Sequence, residues 1–309
     1  MASPIQVQKV STLTGHRDCV YTLEPSGDSA TIYSAGGDGL VVAWNLNDPE
    51  NGELVARVST SVYALCYIPF RNLLLIGQNN EGVQVIDLAQ KTILKSIPLP
   101  KVPIFDMKYS AELQKVYVAL GNGGIAVLAA DTFELQTIIR KSDQSTRSLA
   151  LNPHTQELAA GYSDNVVRVF DAATLELKHE LKSHTNSVFT VAYSPEGDQL
   201  LTAGRDAHLR VWEVQEGYRE RGYTIAHMYT INHLTYSPDG RHFATCSMDK
   251  SIKIWDARTF KLLKVIDKVR NASHGTSVNK LFWTAHHNQL VSCSDDRTLS
   301  VWDIKFLEI

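Results

Sequence analysis

A bulky apolar residue recurs along this chain at a nearly constant interval, and that interval limits the possible folds more than composition does. From Trp44, steps of 42 residues reach Ile86, Leu128, Phe170 and Trp212, and further steps of 43 and 47 reach Trp255 and Trp302. These residues mark seven units. Six residues before each anchor stands Asp38, Asn80, Asn122, Asp164, Asp206, Asp249 or Asp296, always a side chain that can cap a tight turn. Twelve before come Ile32, Leu74, Val116, Leu158, Leu200, Phe243 and Leu290, all large and apolar. Twenty-four before come Val20, Val62, Ile104, Thr146, Val188, Ile231 and Val278, a β-branched column that reads as a strand. Each unit therefore reads as strand, hairpin, strand, Asx turn, strand, and a fourth strand before the next unit. Ser237-Pro238-Asp239-Gly240 is one of the hairpins. No segment carries a 3.6-residue apolar period over a helix length, so the chain is all-β, with roughly 28 strands of about 5 residues.

Four units add polar residues in register with the anchors. His16, Ser34, Asp38 and Trp44 form the first set, and His184, Thr202, Asp206 and Trp212 the second. His227, Thr245, Asp249 and Trp255 follow, then His274, Ser292, Asp296 and Trp302, with 28 residues from His to Trp in every set. This pattern is similar to the His, Ser/Thr, Asp, Trp tetrad of the tryptophan-aspartate (WD) repeat family, and the resemblance covers essentially the whole chain. It implies a seven-bladed β-propeller with four antiparallel strands per blade. It also implies that His bridges the turn Asp and the hydroxyl, which in turn meets the indole N–H. A Ser, His and Asp together can resemble a hydrolase triad, but four copies of one triad serve no single active site, so a structural role is expected. Units two to four depart from the pattern. They hold Val58, Pro100 and Ser142 in the His column and Ile76, Val118 and Ala160 in the hydroxyl column, so apolar packing must hold them together.

The unbroken period argues for one domain over residues 5–309. The third strand of the last unit ends near Trp302-Asp303, while Ile5 to Leu13 alternates like an outer strand. The N-terminal strand is therefore expected to complete blade seven, so that no long sheet edge is left open.

Composition narrows the function classes. With 44% hydrophobic residues, 20% charged residues and a net charge of -3, the chain has material for a large core and no basic run to attract nucleic acid or an anionic membrane. Neither is expected as a partner. Cys19, Cys66, Cys246 and Cys293 are too scattered for a metal knuckle or redox pair. The first residues lack the blocks of a signal peptide, so a cytoplasmic location is expected, or a nuclear one if the source is eukaryotic. Gly36-Gly37-Asp38-Gly39 and Gly121-Asn122-Gly123-Gly124 fall in turn columns and lack the Lys-Ser/Thr and helix of a phosphate loop. Cys246 and Cys293 share a column with Ala35, Gly77, Ala119, Gly161 and Ala203, as small core residues do. The eleven histidines show no ligand spacing, and His286-His287 reads as a solvated hairpin. No metal, cofactor or catalytic constellation is expected, and the protein reads as a non-enzyme.

The resemblance also implies where a partner would bind. In such propellers the loops into the first strands and the turns between second and third strands open on one face, the top. Residues following the strand column are Tyr21, Tyr63, Phe105, Arg147, Phe189, Asn232 and Asn279. The column before the turn acid adds Arg205, Met248 and Asp295. A ring rich in aromatics and arginine has the composition of an interface hot spot. The expected site comprises Tyr21, Tyr63, Phe105, Arg147, Phe189, Arg205, Met248 and Asn279, with the aromatics as anchors and the two arginines taking an acidic or backbone group. The expected function is a protein-interaction scaffold or adaptor, acting within a multiprotein complex. Trp255-Asp256-Ala257-Arg258 resembles the box of propellers that serve as substrate receptors of cullin-RING ubiquitin ligases, which is the narrower alternative. A small-molecule or enzymatic propeller is the contrasting class. The extra residues around Lys268 to Ala272 are expected to form a basic loop.

Overall fold

A computed structural model describes residues 5–306 and arranges them as seven four-stranded antiparallel sheets, the blades of a seven-bladed β-propeller. Six sheets take four consecutive strands, beginning at Val20, Val62, Ile104, Thr146, Val188 and Ile231. The seventh takes its first three strands from the C-terminal end and its fourth from the N-terminus. Among the described residues no helix is long and apolar enough to cross a membrane.

The columns read from the period are the core. Every residue of the strand column, from Val20 to Val278, is 0% exposed, and so is every residue twelve before the anchors, from Ile32 to Leu290. Two-residue alternation gives the inner strands two buried faces, one for each flanking sheet, which suits near-continuous apolar strands such as Leu73–Gln78. By density of contacts the chain forms two compact units. One holds the described residues up to Ser61 and from Asn232 onward, and the other holds Val62–Ile231.

In the Val62–Ile231 unit, Leu75, Val83 and Val85 of blade two pack with Ile104, Val116 and Val118 of blade three. Tyr117 and Val127 of blade three pack with Leu149, Leu158 and Phe170 of blade four. Val169 and Leu181 of blade four pack with Val188, Leu200 and Trp212 of blade five. In the other unit, Cys246 and Ile254 of blade six meet Val278, Leu290 and Trp302 of blade seven, and Leu299 and Val301 of blade seven meet Val20, Ile32 and Trp44 of blade one.

Blade seven closes as the alternation of its ends predicts. Strand Ile5–Thr14 lies antiparallel to Thr298–Phe306, from Ile5 opposite Phe306 to Thr14 opposite Thr298, with one bulge between Lys9 and Ser11. Ile5 and Leu13 are each 1% exposed. The ring of Phe306 stacks on His242 at 3.8 Å and lies parallel to Trp283 at 6.4 Å. Residues 1–4 and 307–309, the latter closing the expected domain span, lie outside the described residues.

Three polar tetrads are joined by hydrogen bonds from end to end. In blade one, Trp44 Nε1 donates to Ser34 Oγ at 2.8 Å, His16 Nε2 meets the same oxygen at 2.8 Å, and His16 Nδ1 meets Asp38 at 3.0 Å. Blade five repeats this with Trp212, Thr202, His184 and Asp206 at 2.9, 2.8 and 2.9 Å. Blade seven repeats it with Trp302, Ser292, His274 and Asp296 at 2.9, 2.9 and 2.8 Å. In blade six the Trp255 indole donates to Thr245 at 2.9 Å, and His227 is buried. The central hydroxyls of blades one, five and seven are 0% exposed and engaged on both sides, so none of the three is available as a nucleophile.

Blade two is apolar, as expected from its columns, but blade four is not purely so. The nearly buried guanidinium of Arg168 pairs with Asp164 at 2.8 Å and Glu180 at 3.1 Å and lies over the Tyr162 ring at 4.6 Å. This ion-pair network does for blade four what a tetrad does elsewhere: it leaves no charged group inside the sheet stack without a partner. The signal was Arg168, an arginine two residues before an anchor. The Lys268 to Ala272 stretch, expected as a loop, contains one short helix turn, Lys268–Asn271, because the Asp267 carboxylate caps the Arg270 amide. His286–Asn288 likewise forms a single 3-10 turn.

Two outcomes test these contacts. Deleting residues 1–12 removes most of the strand that covers Thr298–Phe306, including buried Ile5. At about 2–4 °C per kcal/mol for a domain of this size, loss of a whole strand should lower the melting temperature by more than about 10 °C; an unchanged melt would refute the closure. The second concerns acid. Burial raises the Asp206 carboxyl, but the hydrogen bond and charge of His184 and the Thr185 and His208 amides outweigh it, holding the pKa at about 2. A carboxyl lowered in the folded state contributes stability above its unfolded pKa, near 4, and loses it as pH falls through the folded value. In urea titrations Asp206→Asn should therefore be clearly less stable than wild type at pH 6, and the gap should close between pH 4 and about pH 2.

Candidate functional site

Position along the first strand decides which side chains are offered. In blades one, three, four, five and seven, the amide of the turn residue before the Asx donates to the carbonyl just before the first strand. The pairs are Gly37 to Cys19 and Gly121 to Pro103 at 2.8 Å, Ser163 to Ser145 at 2.9 Å, Arg205 to Ser187 at 2.8 Å, and Asp295 to Ser277 at 3.2 Å. The two expected columns therefore lie together at one end of each of these five blades.

That bond sets the first and second strands one residue out of step. Val20 opposes Gly36, but Thr22 opposes Ala35, which makes Tyr21 the extra residue of a β-bulge. The same shift isolates Tyr63, Phe105, Arg147, Phe189 and Asn279 in their blades. A bulge bends the strand and re-aims the extra residue. Six members of the expected binding column are thus bulged residues, and each is half-buried instead of entering the core. Close approach across the bulge explains two glycines: a Cβ on Gly36 would lie 2.0 Å from the Cys19 carbonyl oxygen, and one on Gly204 would lie 2.1 Å from that of Ser187.

Within the Val62–Ile231 unit, four of the expected residues form a continuous row. The Tyr63 and Phe105 rings stack 5.7 Å apart at 18°. The Arg147 guanidinium carbon lies 4.2 Å from the centre of the Phe105 ring and 4.7 Å from that of Phe189. The order is ring, ring, cation, ring, one side chain from each of blades two to five. Arg147 Nε donates to Ser163 Oγ at 2.9 Å, which fixes the plane of the guanidinium. Burial, then the neighbouring charge of Arg205, pulls the Arg147 pKa below its ordinary value, against a smaller opposite pull from Tyr63. Arg205 is exposed.

In the other unit the expected residues behave differently. Asn279 Nδ2 donates to the Val20 carbonyl at 2.9 Å and to Asp295 Oδ1 at 2.8 Å, so its amide joins blade seven to blade one. Asn232 does the same between blades six and seven, donating to Ser277 Oγ at 2.9 Å and the Val278 carbonyl at 2.8 Å. These two asparagines hold neighbouring sheets together. Tyr21 is half-buried, and Met248 is 57% exposed.

Two exposed residues were missed by the column argument. Met228 and Tyr229, 81% and 60% exposed, lie in the loop entering blade six, just after the Ala226 amide bonds the Ala207 carbonyl in the Arg205 turn. Their signal was a pair of large apolar residues beside a tetrad histidine. Among the described residues no group of three or more His, Cys, Asp or Glu is placed to hold a metal ion. The Trp255-Asp256-Ala257-Arg258 segment is a turn in which the Asp256 carboxylate accepts the Arg258 and Thr259 amides.

Comparison with known sequences agrees with the geometry. The family described as WD domain, G-beta repeat matches residues 7–45, 134–171, 175–213, 220–256 and 266–303. The unmatched stretch 46–133 contains blade two and the first three strands of blade three, where Ile86 and Leu128 replace Trp and no His begins the blade. Among curated relatives, polyadenylation factor subunit 2 of Candida albicans is 23% identical over 56% of this chain and 31% of that protein. The serine-threonine kinase receptor-associated protein of Gallus gallus is 24% identical over 65% of this chain and 57% of that protein. WD repeat-containing protein 3 of Mus musculus is 30% identical over 59% and 20% respectively. The chain thus spans less than two thirds of each of these relatives. With repeat matches over more than half its length and seven blades built on the same columns, the chain belongs to the WD-repeat family.

Proposed function

We propose that this protein is a non-catalytic scaffold or adaptor, and that the bulged residues of blades two to five bind a peptide or loop of a partner protein. The observation that carries the reading is the row of Tyr63, Phe105, Arg147 and Phe189. Large flat side chains presented half-buried at a turn end are already ordered, so a partner covering them loses little additional side-chain entropy. Stacked rings and desolvated cation–π pairs each contribute about 0.5–2 kcal/mol beyond area burial. Aromatic and arginine side chains in such a setting are the usual hot spots of protein interfaces. Arg205, Met228 and Tyr229 extend the same end of blade five. The names of relatives support the class: one is a subunit of a polyadenylation factor, and another is a receptor-associated protein.

Affinity capture tests this directly. Tagged wild type and Phe105→Ala/Arg147→Ala are compared after circular dichroism shows that both are folded. The double variant is expected to lose at least one partner that wild type recovers by more than about tenfold, the effect of one hot-spot residue; identical partner sets for the two proteins would show that the face is wrong.

A further inference from the structure

Arg147 has an arrangement that packing alone does not account for. Its guanidinium carbon lies against two rings, Phe105 at 4.2 Å and Phe189 at 4.7 Å, and its Nε is held by Ser163 at 2.9 Å. Neither terminal nitrogen has a hydrogen bond among the described residues, and no carboxylate pairs with the group. The other partly enclosed arginines of the same unit are treated differently: Arg168 meets Asp164 and Glu180, and Arg210 meets Glu220 at 2.6 Å. Arg205, the neighbouring cation, also has no acidic partner among the described residues. A half-buried cation with a second cation beside it and no counter-charge is electrostatically incomplete.

We propose that the row binds a partner segment through the carboxylate of an Asp or Glu side chain, seated edge-on against the two terminal nitrogens of Arg147, with Arg205 adding long-range attraction. This rests on the reading that the aromatic row is a protein-binding face, and it names the chemistry recognised there. With two rings against the guanidinium and its Nε taken by Ser163, the two terminal nitrogens are the donors left for a ligand. A planar carboxylate places two oxygens in the guanidinium plane and forms the fork-to-fork pair for which guanidinium is shaped. The flanking Tyr63, Phe105 and Phe189 call for apolar residues beside the acid, giving a short acidic and apolar segment as the ligand.

The test uses heptapeptides selected from a displayed random library on the full chain, resynthesised with a fluorophore and measured by anisotropy. Peptides that use the face are those weakened about tenfold or more by Phe105→Ala/Phe189→Ala. In these an Asp or Glu is expected at one fixed position, and changing it to the amide should weaken binding to wild type about tenfold. On Arg147→Gln the same change should have less than about a twofold effect, the mark of a coupled pair. Arg147→Lys, which keeps the charge without the fork, should lose most of the coupling while keeping the melting temperature. Face-dependent peptides without a fixed acid, or an amide effect of equal size on wild type and Arg147→Gln, would overturn the carboxylate and leave the binding face standing. Tighter binding when phosphoserine replaces the acid would overturn it in favour of phosphate. A library with no peptide sensitive to the aromatic pair would overturn both.

Discussion

The one-residue mismatch at the start of blades one to five and seven is the constraint on which the presented surface depends. The carbonyl before the first strand must accept an amide from the Asx turn, as in the 2.8 Å bonds from Gly37 to Cys19 and from Arg205 to Ser187. Meeting that bond while keeping Val20 and Val188 fully buried requires the first strand to carry one more residue than its neighbour. The extra residue cannot face either adjoining sheet without breaking the ladder, so it turns out at the blade end. The core column and the binding column are consequences of the same backbone bond, which is why the residue following each fully buried β-branched position is half-buried.

The blades satisfy their buried polar groups in different ways, and the site does not follow that division. Blades one, five and seven join indole, hydroxyl, imidazole and carboxylate into one chain, each bond contributing about 0.5–1.5 kcal/mol net. Losing a member would cost more, because the remaining groups stay buried without partners. Blade two has no such chain, with Ile76 and Ile86 where the hydroxyl and indole would stand, and packs through Leu75, Val83 and Val85. Blade four uses Arg168 and its two carboxylates. The row from Tyr63 to Phe189 crosses all of these types. It therefore depends on the bulge shared by the blades, while the tetrads are concerned with stability.

Most of the architecture was legible because it repeats. Seven independent readings of one column expose Thr146 as a strand residue although threonine is uncommon there, and the alternation of Ile5 to Leu13 suffices to pair the two chain ends. The tetrads could be read because hydrogen-bonding residues must keep a fixed spacing. Blades two and three lack those polar markers, and the family match also stops short of them, so only the spacing of apolar residues identifies them. What the period could not supply was lateral contact. Tyr63, Phe105, Arg147 and Phe189 are 42 residues apart in sequence, and their column is visible, but the order of ring, ring, cation, ring depends on side-chain rotamers across neighbouring sheets. For the same reason Asn279 was placed in the binding column, whereas its amide bridges Val20 and Asp295 within the protein. Column membership fixes where a side chain starts, and its chemistry decides whether it turns to a neighbour or to solvent.

That distinction bears on why an arginine stands between two phenylalanines at all. The cation–π contacts of Arg147 contribute about 1–2 kcal/mol each at most. Against them stand the partial loss of hydration and the repulsion of Arg205, the two causes that lower its pKa. A leucine or methionine at the same bulge would fill the gap between the Phe105 and Phe189 rings without either cost, since replacing a poorly compensated charge by a well-packed apolar side chain is commonly neutral or stabilising. Stability alone therefore favours a different residue at this position. The asparagines at the same column position in blades six and seven show the contrast, because each amide nitrogen donates to the neighbouring sheet. At Arg147 the donors at the open edge have no internal use, and their value to the molecule has to come from a group brought by another.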